Sequence, residues 1–172
     1  MRKVEVTSYN INWPAMFKEE ANKLHSIFGS ETIEIHHIGS TSVNGLKAKP
    51  VIDMMPVVKN ISRVDDFNTA MMGIGYEPLG ENGISGRRYF RKGGDDRTHH
   101  VHVFELGSGD IERHLAFRDY LGTHPDALQS YGDLKEELAR SFPDDMESYI
   151  KGKEPFVLEI ERKALIWYQS SR

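Results

Sequence analysis

The sequence predicts an α+β fold: a mixed β-sheet with helices packed on it and a helical C-terminal region. Three observations carry this. Short segments that alternate apolar and polar residues, or are apolar on both parities, fall between residues 32 and 105. A helix-periodic segment precedes them, and three more follow from about Asp110. The resulting order is helix, strand, loop, strand, helix, hairpin, then helices, which suits strands gathered in one sheet with a separate helical layer.

Each element has a local reason. "VEVTSYN" alternates as a short edge strand would. "WPAMFKEEANKLHSIFG" reads as a helix, with Pro14 in its first turn, Phe17, Ala21, Leu24 and Phe28 on one face, and Gly29 as its stop. "TIEIHHI" alternates about Ile33 and Ile35, a half-buried strand. "PVIDMMPVV" is apolar on both parities, as a strand covered on both faces would be. "SRVDDFNTAMMGIGY" is expected to be a helix begun by Ser62 and ended by its glycines. "ISGRRYFRK" and "THHVHVFEL" form two strands of a hairpin reversed at Gly93-Gly94. "DIERHLAFRDYLGTHP", "DALQSYGDLKEELARSF" and "EPFVLEIERKALIWYQSS" supply the C-terminal helices. Their aromatic residues Phe117, Tyr120, Tyr131, Trp167 and Tyr168 belong to the core, and Arg118, Asp119 and Lys135 to the helix surface.

The 172 residues are expected to form one domain, with enough chain for a substantial core. Hydrophobic residues at 38% and charged residues at 28% describe a soluble globular chain. A net charge of −4 gives no footprint for generic nucleic-acid binding. The absence of cysteine excludes disulfides, thiolate nucleophiles and cysteine-based zinc sites. No apolar run approaches membrane-spanning length and no signal-peptide core opens the chain, so a cytoplasmic location is expected.

The stretch "HHIGSTSVNGLKAKPVIDMM" holds the chemistry. Phosphates bind where backbone N–H groups converge in a concavity, and Gly39 permits such an approach. Ser40, Thr41 and Ser42 add hydroxyl donors, and Lys49 adds a cation. Asp53, alone among apolar neighbours, would hold a Mg²⁺ bridging the phosphates. The competing interpretation is a capped turn and a hydrogen-bonded structural acid, because Gly-Ser turns are common and neither a Walker nor a Rossmann fingerprint is present.

The motif "HIGSTSV-GL-AKPVID" resembles the signature of the GrpB family of small bacterial proteins. The similarity continues in "YNINWPAMFKEEANKL", "THHVHVFELGS", "LAFRDYLGTHPDA" and "YGDLKEELA", nearly the whole chain. That family is similar to the nucleotidyltransferases, which place metal-binding acids on a strand about ten residues after a Gly-Ser. The resemblance implies a nucleotidyltransferase-like fold, with Gly39 and Ser40 as the Gly-Ser and Asp53 as the first acid. Two positions depart from the pattern. Asn44 replaces a usual proline, although Asn-Gly is itself a turn dipeptide. Met55 stands where an active transferase generally has its second acid, and one carboxylate cannot clamp two ions.

Strand alternation puts His100 and His102 on one face, with Val101, Val103 and Glu105 on the other. Beside the Asp53 strand, the histidines would occupy the place of a third acid: His102 as base or auxiliary ligand, His100 toward substrate. Glu105 is the rival acid, at opposite parity. Arg87, Arg88 and Arg91 offer cations, of which Arg88 is expected to serve the phosphates. Two functions follow. One is a nucleotidyltransferase or nucleotide-binding protein using Mg²⁺ or Mn²⁺ that arrives with the nucleotide. The other is a non-catalytic module for a phosphorylated metabolite or a protein partner, which fits the fusion of such domains to a coenzyme A biosynthetic kinase.

Overall fold

The computed structural model describes residues 2–171. Their contacts gather into two compact units: Ile11–Ile38 with Val51–Ile111, and a second comprising the chain up to Asn10, Gly39–Pro50, and the chain from Glu112 onward.

The first unit is built on a five-stranded sheet. Helix α1 (Trp13–Phe28) starts with Pro14 in its first turn and stops at Gly29, as its sequence directs. Strands β1 (Thr32–Ile38), β2 (Ile52–Val58), β3 (Tyr76–Pro78), β4 (Arg88–Lys92) and β5 (His99–Glu105) follow. They lie in the order β1-β2-β5-β4-β3, and only β2 and β5 run parallel. A register irregularity between Thr32 and Glu34 interrupts the alternation expected of β1, and Ile33 is 43% exposed. The segment expected to be a helix begun by Ser62 is instead a 3-10 stretch (Ile61–Phe67) leading into a short helix α2 (Asn68–Gly73). Its cap is Asn60, whose side chain accepts from the Ser62 N–H at 3.0 Å.

One sheet face carries Met54, Val101, Val103 and Phe90, all buried, and α1 lies against it. There the Phe17 ring stacks on His37 at 4.8 Å. Glu20, on the buried side of α1, accepts hydrogen bonds from the Tyr76 hydroxyl at 2.8 Å and from Lys92. The opposite face carries Asp53, Met55, His100, His102 and Tyr89.

Between β4 and β5 the chain reverses at Gly93, whose φ is +102° and whose absent Cβ would lie 2.4 Å from the Asp96 carbonyl oxygen. Gly93→Ala is expected to destabilise the protein by about 2 kcal/mol through backbone strain and that clash. Urea unfolding measures it, and an unshifted midpoint would mean that the hairpin reverses by another geometry.

The second unit is helical: α3 (Gly109–Thr123, from Glu112 on), α4 (Pro125–Ser141) and α5 (Met146–Ser170). Val43, Leu46, Leu121, Tyr131 and Ile160 form its core, with Phe117, Tyr120 and Phe156 packed against them. The N-terminal "VEVTSYN" is not a strand; it makes one isolated bridge, Thr7 to Ala48. Helix α5 begins well before the expected Glu154, because Asp145 caps it by accepting from Ser148 N–H at 3.0 Å, and it runs on through Pro155. Lys135, expected on the surface, is 2% exposed with its ammonium 4.4 Å from the Tyr131 ring centroid. No helix of the described residues is long and apolar enough to cross a membrane.

Candidate functional site

Asp53 sits near the start of β2, and the parallel pairing of β2 with β5 sets it directly beside His100. Because side chains alternate along a strand, His102 falls on the same face one pleat further. Both imidazoles converge on one carboxylate oxygen: His100 Nδ1 lies 3.3 Å and His102 Nε2 3.1 Å from Asp53 Oδ1. The expectation that the histidines face the acid and Val101 and Val103 the other way holds in this geometry. The other carboxylate oxygen, Oδ2, makes no protein hydrogen bond among the described residues, while the Asp53 side chain keeps 25% of its surface exposed.

The electrostatics follow from this packing. Burial opposes the charge on Asp53, but hydrogen bonds from His100 and His102 outweigh it and hold the carboxyl well below the usual carboxylate range. Burial pushes the His102 imidazole down against the pull of Asp53, so it is neutral at pH 7. Tyr89, opposite His102 across β4 and β5, is pushed up by burial and by the Asp53 charge. Its ring lies 5.2 Å from that of His102 and 5.7 Å from that of His100.

Three ligand-type atoms, one each from Asp53, His100 and His102, lie within 4.8 Å of one another. One carboxylate with two imidazoles is a poor set for Mg²⁺, which prefers oxygen ligands in octahedral array. Imidazole nitrogens suit Zn²⁺ better, and Mn²⁺, though it also prefers oxygen, stands above Mg²⁺ as a transition ion able to take them. Met55, two residues after Asp53 on the same strand, is fully buried and offers no carboxylate.

The arginine at this site is Arg87, not Arg88. Arg88 pairs in register with Val103 and therefore points to the opposite face. There it makes a two-pronged ion pair with Asp65 at 2.8 and 3.3 Å. Arg87, 6% exposed, reaches His102 Nδ1 with Nη1 at 3.2 Å. Its parity with Tyr89 was legible in "GRRYFRK", and the β4–β5 register adds that Tyr89 lies opposite His102. Glu105, the rival acid, is spent elsewhere, accepting from the Ile61 N–H at 3.1 Å.

The Gly39–Ser42 turn belongs to the helical unit. Gly39 has φ +70°, in the region glycine favours, and Ser40–Ser42 form one 3-10 turn. Of the three hydroxyls, that of Ser42 donates to the Gly39 carbonyl, Thr41 is 1% exposed, and Ser40, like Ser42, is half-buried. Gly45 at φ +85° confirms that Asn44-Gly45 makes a turn, closed by Leu46 N–H to the Val43 carbonyl at 3.2 Å. Lys49 is half-buried in the same unit.

Comparison with known proteins places these features. The protein-family model for GrpB protein matches residues 3–163. The UPF0157 protein YqkA of Bacillus subtilis (strain 168) is 51% identical over 166 residues, covering 96% of this chain but 48% of YqkA, so the chain spans about half of that relative. A dephospho-CoA kinase of Mycolicibacterium paratuberculosis is 24% identical over 184 residues, 92% of this chain and 45% of the kinase. Among solved structures, the conserved protein GrpB from Enterococcus faecalis superposes with a TM-score of 0.93 at 44% identity, covering 96% of this chain and 99% of that one. The Cid1 poly(U) polymerase shares the fold alone: TM-score 0.53 and 12% identity over 77% of this chain and 44% of that one. A GrpB signature, a matching family model and a matching crystal structure agree over nearly the same residues, and the chain belongs to the GrpB family.

Proposed function

We propose that this chain is a nucleotide-binding protein of nucleotidyltransferase-like fold that has kept one cation position and lost the second. The observation that carries this is the pairing of a committed Asp53 with a buried Met55. A single Mn²⁺-type ion would bind at Asp53 with His100 beside it, arriving with the phosphates that supply the missing negative charge. In the other unit and by itself, the Gly39–Ser42 turn is an anion site, on the strength of its positive-φ glycine, its Ser40 hydroxyl and the GrpB motif, with Lys49 of that same unit contributing charge. Two-ion nucleotidyl transfer is not part of this reading, because residue 55 offers no carboxylate. The similarity to a dephospho-CoA kinase adds coenzyme A precursors to nucleotides as candidate phosphorylated ligands.

A thermal-shift screen of nucleoside triphosphates and coenzyme A precursors, with Mn²⁺, Mg²⁺ or neither, tests it. A ligand at about a hundred times its Kd stabilises by roughly 2.7 kcal/mol, which for a chain of this size is about 5–10 °C. Stabilisation is expected from one phosphorylated ligand with Mn²⁺, less with Mg²⁺, and none of it in Asp53→Asn. Equal shifts in wild type and Asp53→Asn would remove the cation from Asp53. No shift with any phosphorylated compound would leave the protein-partner function as the better account.

A further inference from the structure

The loop from Leu79 to Arg87 is built around one side chain. It is pinned to the sheet at its ends, where Leu79 N–H donates to the Tyr89 carbonyl at 2.9 Å and Tyr89 N–H to the Gly80 carbonyl at 2.7 Å. Inside it, Arg87 Nε donates to the Glu81 carbonyl at 3.1 Å and Nη2 to the Asn82 carbonyl at 2.8 Å. Asn82 has φ +47°, a left-handed conformation uncommon outside glycine. The guanidinium carbon also lies 4.7 Å from the Tyr89 ring centroid. With two arms and one face so fixed, the third arm is aimed: Nη1 meets His102 Nδ1 at 3.2 Å.

That contact bears on where the His102 proton sits. A guanidinium carries donors and no acceptor, so Nδ1 must offer its lone pair. A neutral imidazole has a single N–H, which is then at Nε2, 3.1 Å from Asp53 Oδ1. From this chain of contacts we infer that Arg87 and His102 are a positioning pair. Arg87 locks the His102 tautomer, and His102 in turn donates to Oδ1 and orients Asp53 so that Oδ2 faces the incoming ligand. His102 is then neither base nor metal ligand. Its Nδ1 is held by Arg87, and its Nε2 already bears a proton. The neighbouring His100 meets the same Oδ1 through Nδ1, and its buried Nε2 has no protein partner.

This inference deepens the nucleotide-binding proposal, but its first test needs neither nucleotide nor metal. Long-range proton–nitrogen NMR of histidine-labelled, metal-free protein at neutral pH reports each imidazole tautomer. His102 is expected to carry its proton on Nε2 alone in the wild type, and to lose that preference in Arg87→Met. A wild-type His102 protonated at Nδ1, or at both nitrogens, would overturn the lock. The second test titrates Zn²⁺ alone into wild type and Arg87→Met. Without the guanidinium, the Nδ1–H tautomer frees Nε2 to join Asp53 and His100 as a ligand, so Zn²⁺ should bind about tenfold more tightly. Arg87→Met/His102→Gln should lose that gain. Structural damage would weaken binding instead, so unchanged or weaker binding by a folded Arg87→Met counts against the proposal. If Arg87→Met does not fold, the wild-type tautomer still decides. Nucleotide binding could fail with His102 found in the Nε2–H form. That outcome would remove the proposed function and leave the positioning pair intact.

Discussion

Met55→Asp is expected to destabilise the metal-free protein by about 3–5 kcal/mol, the usual cost of an uncompensated buried charge. Met55 is 0% exposed and shares a sheet face with Asp53, two residues away on the same strand. A carboxylate there loses its water and faces a like charge, so one of the two acids would be forced to stay protonated. A second acid on this strand therefore works against the packing around the buried methionine. Mn²⁺ should recover part of the loss, because an ion between the two carboxylates neutralises both. Urea unfolding of wild type and variant, with and without Mn²⁺, makes the comparison. A variant as stable as wild type without metal would show that residue 55 opens to solvent. The account of a lost second cation position would then be wrong.

Glu20→Ala is the other substitution with a large expected effect, about 3 kcal/mol of stability. Glu20 is 4% exposed on α1, yet it joins that helix to three strands. Its carboxylate accepts from Tyr76 of β3 and Lys92 of β4, and lies 4.0 Å from His99 of β5 and 3.4 Å from Lys23. Removing it strands the hydroxyl of Tyr76, a residue 2% exposed, and leaves Lys92 without its counter-charge. The same network sets a pH dependence. Burial opposes ionisation of Glu20, but Lys92 and Tyr76 outweigh it and lower its pKa from 4.5. A carboxyl with a depressed folded-state pKa contributes stability that is present above its unfolded value and lost as pH falls through the folded one. The gap between wild type and Glu20→Ala should therefore be full at neutral pH and shrink as the pH falls below the ordinary value of 4.5 and through the depressed one. A gap that stayed constant with pH would assign the loss to packing and not to the charge.

Much of the architecture was legible in the residues alone, because the signals were local. Pro14 and Gly29 bracket α1, and "TIEIHHI" is β1 to the residue. The alternation in "HHVH" put His100 and His102 on one face and Glu105 on the other, and only the strand pairing was needed to bring them to Asp53. Local signals failed where a distant partner decided the outcome. Arg87 and Arg88 are neighbours with the same chemistry. Parity separates them, but only the β4–β5 register and the loop that folds over Arg87 say which one reaches His102. Lys135 has the pattern of a surface lysine, yet it is buried with its ammonium over the Tyr131 ring. Glu20 occupies the apolar stripe of α1, one position before Ala21 and one turn before Leu24, where a carboxylate is tolerated because Tyr76 of β3 and Lys92 of β4 donate to it. The sequence by itself determined the central strands, the first helix, their faces and the acid with its two histidines, since period and parity are properties of adjacent residues. The tertiary structure alone decided which cation, which tautomer and which buried charge, since each depends on atoms brought together from segments far apart in the chain.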